Sequence, residues 1–227
     1  MKTVKFLLLF VLATSMALGC FAQKSKDAKA FTGTIKYAIT YEGEIDAATR
    51  SQLPSELVLT IGDGKVRNEQ ATPMYSVISI LDLNNGIRTA MFDGMGMKIA
   101  GQGEDTSLLK ESEFPEEMII DVKYVEESKM IAGYKSKKAE ITVEDQTMEV
   151  FYTDEIITPK KANLNPVFEK INGTIMQFSM NAGGDINMIM TAKEIKKGKP
   201  KNHLFQVPDD YEKVTLQEFN SMLGGGE

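Results

Sequence analysis

The residues able to do chemistry in this chain are few, and their spacing does not favour catalysis. His203 is the single histidine, lying between a lysine-rich turn and a terminal extended piece. A Ser-His-Asp or Cys-His arrangement would have to use it, yet no nucleophile-turn glycines stand near it. Cys20 is the single cysteine, so a thiolate zinc site, a redox pair and a disulfide are excluded by arithmetic. Acidic pairs recur (Glu104-Asp105, Glu116-Glu117, Glu144-Asp145, Asp154-Glu155, Asp209-Asp210), but none has the alternating ligands and glycine of a calcium loop. Most fall at strand ends and loops, where solvated charge is expected. No cofactor is expected and the chain reads as a non-enzyme.

Methionine is the one unusual component. Of 14, Met1 and Met16 belong to the N-terminal segment, leaving 12. Met95 with Met97, Met188 with Met190, and Met176 with Met180 recur at strand-like spacing among Ile and Phe. Paired thioethers could hold copper(I), although such sites usually add histidine or cysteine. The broader reading is an adaptable apolar surface, because an unbranched thioether repacks easily around irregular shapes.

Strands must position these side chains. Phe31, Gly33, Ile35, Tyr37, Ile39 and Tyr41 alternate with polar partners, the period-2 pattern of a half-buried strand. Further strands are expected at 56–61 and 65–70 around Gly62-Asp63-Gly64, at 75–83, 87–92 and 95–100, at 118–126, 134–144 and 147–153, and at 174–180 and 186–196. Residues 101–117 read as an exposed acidic connection with one helical turn near Ser107, and 167–171 as a short helix. Thr215-Leu216-Gln217-Glu218 has capping-box spacing and opens a helix through Leu223. Hairpin-linked neighbours with few helices predict a mostly β fold, a single curved antiparallel sheet forming an open half-barrel.

The N-terminus predicts export. Lys2 and Lys5 precede an apolar run through Leu18 and a small-residue stretch to Ala22, so 1–22 reads as a signal peptide, 23–30 as a tether and 31–223 as one β-rich domain. The apolar run falls short of the roughly 20 residues a bilayer span needs, so no transmembrane segment is expected. Ala17-Leu18-Gly19-Cys20 is also a partial lipobox, which makes Cys20 a candidate for lipidation; the alternative cut follows Ala22. Without the signal, 24 basic and 32 acidic residues leave a formal charge of −8, a poor match for nucleic acid.

Phe31-Thr32-Gly33-Thr34-Ile35-Lys36-Tyr37, Gly64-Lys65-Val66-Arg67 and 129–135 resemble exported Bacteroidota proteins of domain-of-unknown-function family 4412. Lys137-Lys138-Ala139 and 150–156 are similar to the neighbouring family named for its Gly-Leu-Pro-Gly-Leu-Ile motif, although Lys170-Ile171-Asn172-Gly173-Thr174-Ile175 replaces that motif here. Ser136 stands where the family often has cysteine. Both families resemble periplasmic lipoprotein carriers, and 205–211 is similar to the C-terminal strand of those carriers. The resemblance implies an apolar sheet face that receives acyl chains. The expectation is therefore a periplasmic or outer-envelope protein binding a lipid or lipidated partner, with Tyr37, Ile39, Met95, Met97, Met176, Phe178, Met188 and Met190 lining the site. The alternative is an envelope interaction module without a small ligand.

Overall fold

A computed structural model of the chain describes residues 30–109, 119–144, 146–163, 165–183 and 185–223. The stretches expected to be a signal peptide and most of a tether, with Cys20, lie outside the described residues.

Twelve strands make one sheet. They are β1 (Gly33–Glu42), β2 (Glu56–Gly62), β3 (Lys65–Ala71), β4 (Tyr75–Asp82), β5 (Ile87–Gly94), β6 (Met97–Glu104), β7 (Ile120–Ile131), β8 (Tyr134–Val143), β9 (Gln146–Thr153), β10 (Thr174–Gly183), β11 (Ile186–Lys197) and β12 (Glu212–Thr215). The spatial order is β12-β6-β5-β4-β3-β2-β1-β11-β10-β9-β8-β7. The fold is mostly β, and the sheet is open, with β12 and β7 at its edges. It is mixed rather than wholly antiparallel, because β12 pairs parallel with β6 while the remaining pairs are antiparallel.

Local chemistry explains most of the hairpins. Asp63-Gly64, Met95-Gly96 and Ala132-Gly133 each place two successive residues at positive φ (51° and 72°, 55° and 79°, 49° and 84°). That is the turn whose twist matches paired strands. At 82–86 the Asp82 carboxylate accepts from the backbone N–H groups of Asn84 and Asn85, both at 3.1 Å. A short helix α1 (Ala47–Gln52) links β1 to β2 and is capped by Asp46, and α2 (Leu216–Met222) carries the expected capping box between Thr215 and Glu218.

Alternation assigns side chains to two faces, here called the Tyr37 face and the Lys36 face. On the Tyr37 face, β1, β2 and β8–β11 supply the main core, including Ile35, Leu57, Leu59, Ile141, Val150, Met176 and Phe178. On the Lys36 face, Ile78, Ile80, Met91 and Ala100 pack under Phe205, Val207 and Tyr211. The chain then rounds the edge of the sheet as β12 and returns on the Tyr37 face as α2, where Phe219 packs with Phe92 and Ile99. Gly101 is required there: an added Cβ would lie 2.3 Å from the Cβ of Phe219.

Two expectations of local structure are corrected. Residues 95–96 are a turn, with β6 beginning at Met97 and running through Glu104 into the stretch read as a loop. Phe205 ends a turn of 3₁₀ helix, and the C-terminal strand is Glu212–Thr215. Helix α1 had no counterpart in the sequence reading; at six residues, with none of them buried, it lacks an apolar stripe to announce it.

Candidate ligand-binding face

The expected site residues separate into two groups. Strand register puts Ile39, Met190, Phe178, Val150 and Ala139 in one continuous row from β1 across β11, β10 and β9 to β8. Tyr37 lies one step along β1, and Met188 faces both Tyr41 and Met180. Met176 is fully buried beside a register shift in β10. Tyr37, Ile39, Met176, Phe178, Met188 and Met190 therefore belong to one cluster. Met95 and Met97 do not join it. Met95 sits in the β5–β6 turn, 70 % exposed, and Met97 just beyond it is 44 % exposed. Met95 stands at a positive-φ turn position and Met97 opens β6 on the far part of the sheet, which period-2 counting over 95–100 cannot reveal.

The cluster is closed by residues 156–163 and 165–171, a strap containing two 3₁₀ turns, Lys160–Ala162 and Pro166–Lys170. Its Ile156, Ala162, Val167, Phe168 and Ile171 are buried in the same core. The Phe168 ring meets Phe178 edge-on, with centroids 4.9 Å apart. The strap is anchored at its start, where it leaves β9. Phe31 N–H donates to the Ile157 carbonyl at 2.8 Å, and the Thr174 hydroxyl donates to the Ile156 carbonyl at 3.0 Å. Lys161 and Glu169 form an ion pair at 3.1 Å with both side chains at least nine-tenths buried. The Tyr37 hydroxyl donates to the Ile175 carbonyl at 2.9 Å, and burial holds its pKa well above that of a free phenol. The space remaining between Tyr37, Leu59, Phe168, Ile175 and Phe178 is about 10 Å³. That is near the minimum for one water and far below the volume of an acyl chain.

The same face opens further along. One row runs Tyr37–Leu57–Gln70–Val77–Phe92–Ile99, and the next Ile35–Leu59–Asn68–Ser79–Ala90–Gly101. Both rows are buried at their two ends, under the strap side and under α2, and are only partly covered over β3 and β4, where Val77 is 42 % exposed. Between the covers lies a groove of about 220 Å³ lined by Pro54, Asn68, Gln70, Thr72, Tyr75, Val77 and Ser79. Tyr75 stacks on Phe92 at 5.9 Å, and the hydroxyl of nearby Tyr41 donates to the Pro54 carbonyl at 3.0 Å. Burial, followed by the neighbouring Tyr75, pushes the Tyr41 phenol up.

Sequence reasoning missed the groove. Its signal was present in β3, where Val66, Asn68 and Gln70 share the core-facing side, so that two carboxamides occupy positions filled by apolar residues in β1 and β2. Ser79 does the same in β4. A polar residue at a core-facing register position is the local inconsistency that accompanies functional sites.

His203 is exposed in a 3₁₀ turn. Among the described residues no three His, Cys, Asp or Glu side chains are grouped to hold a metal, and no helix is long and apolar enough to cross a membrane.

No protein-family model matches the sequence, and no curated protein matches it either. The architecture is similar to solved structures of PNGF-II. One, in space group P21, superposes with a TM-score of 0.51 at 18 % identity over 86 % of this chain and 34 % of that one. A second, in space group C2, gives 0.49 at 18 % identity over 86 % and 33 %. This chain thus spans about a third of the length of PNGF-II, and the likeness concerns the fold alone.

Proposed function

We propose that this is a non-enzymatic exported protein of the bacterial envelope that binds its ligand on the open strip of the Tyr37 face, between the strap and α2. The observation that carries this reading is the division of that face. Strap side chains fill the half expected to be a pocket, while the β3–β4 strip keeps a groove of about 220 Å³ with polar groups in core-facing positions. A largely preformed concavity with a few convergent polar groups is the usual form of a small-ligand site.

The test is a thermal-shift screen of the mature chain against two sets, neutral polar small molecules and single-chain amphiphiles, in parallel with Ser79→Phe, which fills the groove. The expected result is at least one compound that stabilises the native chain and fails on Ser79→Phe. No stabiliser in either set, or one acting equally on both proteins, would overturn the proposal.

A lipid carrier is the second reading, favoured by the apolar row Ile39–Met190–Phe178. An acyl chain would gain about 0.8 kcal/mol per buried CH₂ there, but the strap would have to leave the core first. Native mass spectrometry after export in a bacterial host separates the readings, because an acyl lipid retained by the native chain supports the carrier. The same spectrum reports the N-terminus: a diacylglycerol mass on Cys20 indicates an anchored form, and Gln23 at the N-terminus indicates a soluble one.

A further inference from the structure

Asn68, Gln70 and Ser79 form a compact polar group, with Asn68 directly opposite Ser79 in the β3–β4 register and Gln70 two residues along the same face of β3. The Asn68 Oδ1 is shielded from solvent and has no hydrogen-bond partner among the described residues. A shielded carbonyl acceptor without a donor carries a desolvation penalty, and native proteins rarely keep one without a use. The Thr72 hydroxyl in the groove is already occupied. Thr72 Oγ1 accepts from the backbone N–H groups of Met74 and Tyr75 and donates to the Tyr75 carbonyl.

The remaining wall is Tyr75, Pro54 and Val77, and among the described residues no Lys, Arg, His, Asp or Glu lines the groove. A charged ligand would find no counter-ion there. A purely apolar one would leave the carboxamides of Asn68 and Gln70 and the hydroxyls of Ser79 and Tyr75 without partners on burial. A ligand matching both parts is neutral, supplies several hydroxyl donors and acceptors, and has an apolar C–H face to lie against an aromatic wall.

We propose that the groove over β3–β4 is a saccharide site, in which the Asn68 side chain turns its carbonyl oxygen into the groove to accept a sugar hydroxyl, Gln70 and Ser79 bind its neighbours, and Tyr75 and Val77 contact the ring. At about 220 Å³ the groove is smaller than the roughly 300–1,000 Å³ of pockets for drug-sized ligands, which limits it to one sugar ring, with any further rings outside. The inference rests on the binding reading above and specifies its ligand.

The experiment is a ¹H–¹⁵N titration of the mature chain with glucose, galactose, N-acetylglucosamine and their β-linked dimers, with decanoate as the apolar control. The expected result is saturable shifts at the amides of Asn68, Gln70, Val77 and Ser79 with at least one sugar. Asn68→Leu, which keeps the branched heavy-atom skeleton and removes the acceptor, should weaken that binding by about tenfold or more while leaving the remaining spectrum folded. Ser79→Ala provides a milder second variant with a smaller loss in the same direction. Saturable shifts at these amides with decanoate and none with the sugars would overturn the ligand class while leaving a binding groove. Silence with every compound would overturn both proposals.

Discussion

The strap-covered half of the Tyr37 face and the β3–β4 strip beside it are built on the same sheet and obey the same alternation, yet one is core and the other is surface. Under the strap, the row from Ile39 to Ala139 is apolar and buried at every position. Over β3 and β4, the corresponding positions are Asn68, Gln70, Val77 and Ser79, and no segment of the described chain closes over them. An apolar residue placed inward thus becomes core only where another element covers it. The strap and α2 are the two covers, and the gap between them is where polar groups become affordable.

The largest consequence of that contrast lies in the covered half. Phe168→Ala removes a fully buried ring and its edge contact with Phe178, and should lower unfolding free energy by about 3–5 kcal/mol in urea titrations. A loss below about 1 kcal/mol would mean that the strap is not part of the cooperative core. Next is Glu169→Ala, which leaves Lys161 buried without its carboxylate and should cost on the order of 3 kcal/mol by the same measurement.

In the open strip the sign reverses. Asn68→Leu relieves a shielded acceptor and extends the apolar row from Leu59, so it should raise stability by about 1 kcal/mol. A destabilising outcome would show that the carboxamide has a structural task and would weaken the contrast between the two regions. Opposite signs at Phe168 and Asn68 are the sharpest form of the comparison.

A smaller effect follows from pH. Burial works to raise the Asp82 carboxyl, but hydrogen bonds from Asn85 and Lys65 and the charge of Lys65 outweigh it, and the group sits below the usual carboxylate range. Because its pKa is lower folded than unfolded, it contributes stability above the ordinary value of about 3.9, and that contribution is lost as pH falls through the lowered native value. Asp82→Asn should therefore flatten the stability–pH curve below pH ~4, as followed by circular dichroism. His203→Ala, at an exposed turn position, should change stability by less than about 0.5 kcal/mol.

Much of the fold was legible because it rests on short-range chemistry. The Tyr37–Ile39 alternation, the Asp63-Gly64 turn and the Thr215–Glu218 capping box each act within a few residues, and each produces the element expected of it. The site was less legible. Tyr37, Ile39, Met176, Phe178, Met188 and Met190 do converge on one face, as alternation requires, but their convergence could not reveal that Phe168 would already occupy the space between them. Met95 and Met97 stay apart from that cluster, because Met95 stands in the β5–β6 turn and β6, which Met97 opens, lies near the opposite edge of the sheet from β8–β11. The groove was overlooked because its polar residues are individually ordinary and become unusual only once Asn68 is seen opposite Ser79 on a core-facing side.

Composition and local pattern alone determined a β-rich chain with one histidine, one cysteine and hairpin turns, because these depend on residue counts and on interactions a few positions apart. The tertiary structure decided which apolar face was covered. It joined β1 to β11, laid the strap over their core and carried the C-terminus around β6 in a parallel strand. Those contacts link residues far apart in the chain, and the local spacing of side chains carries no record of them.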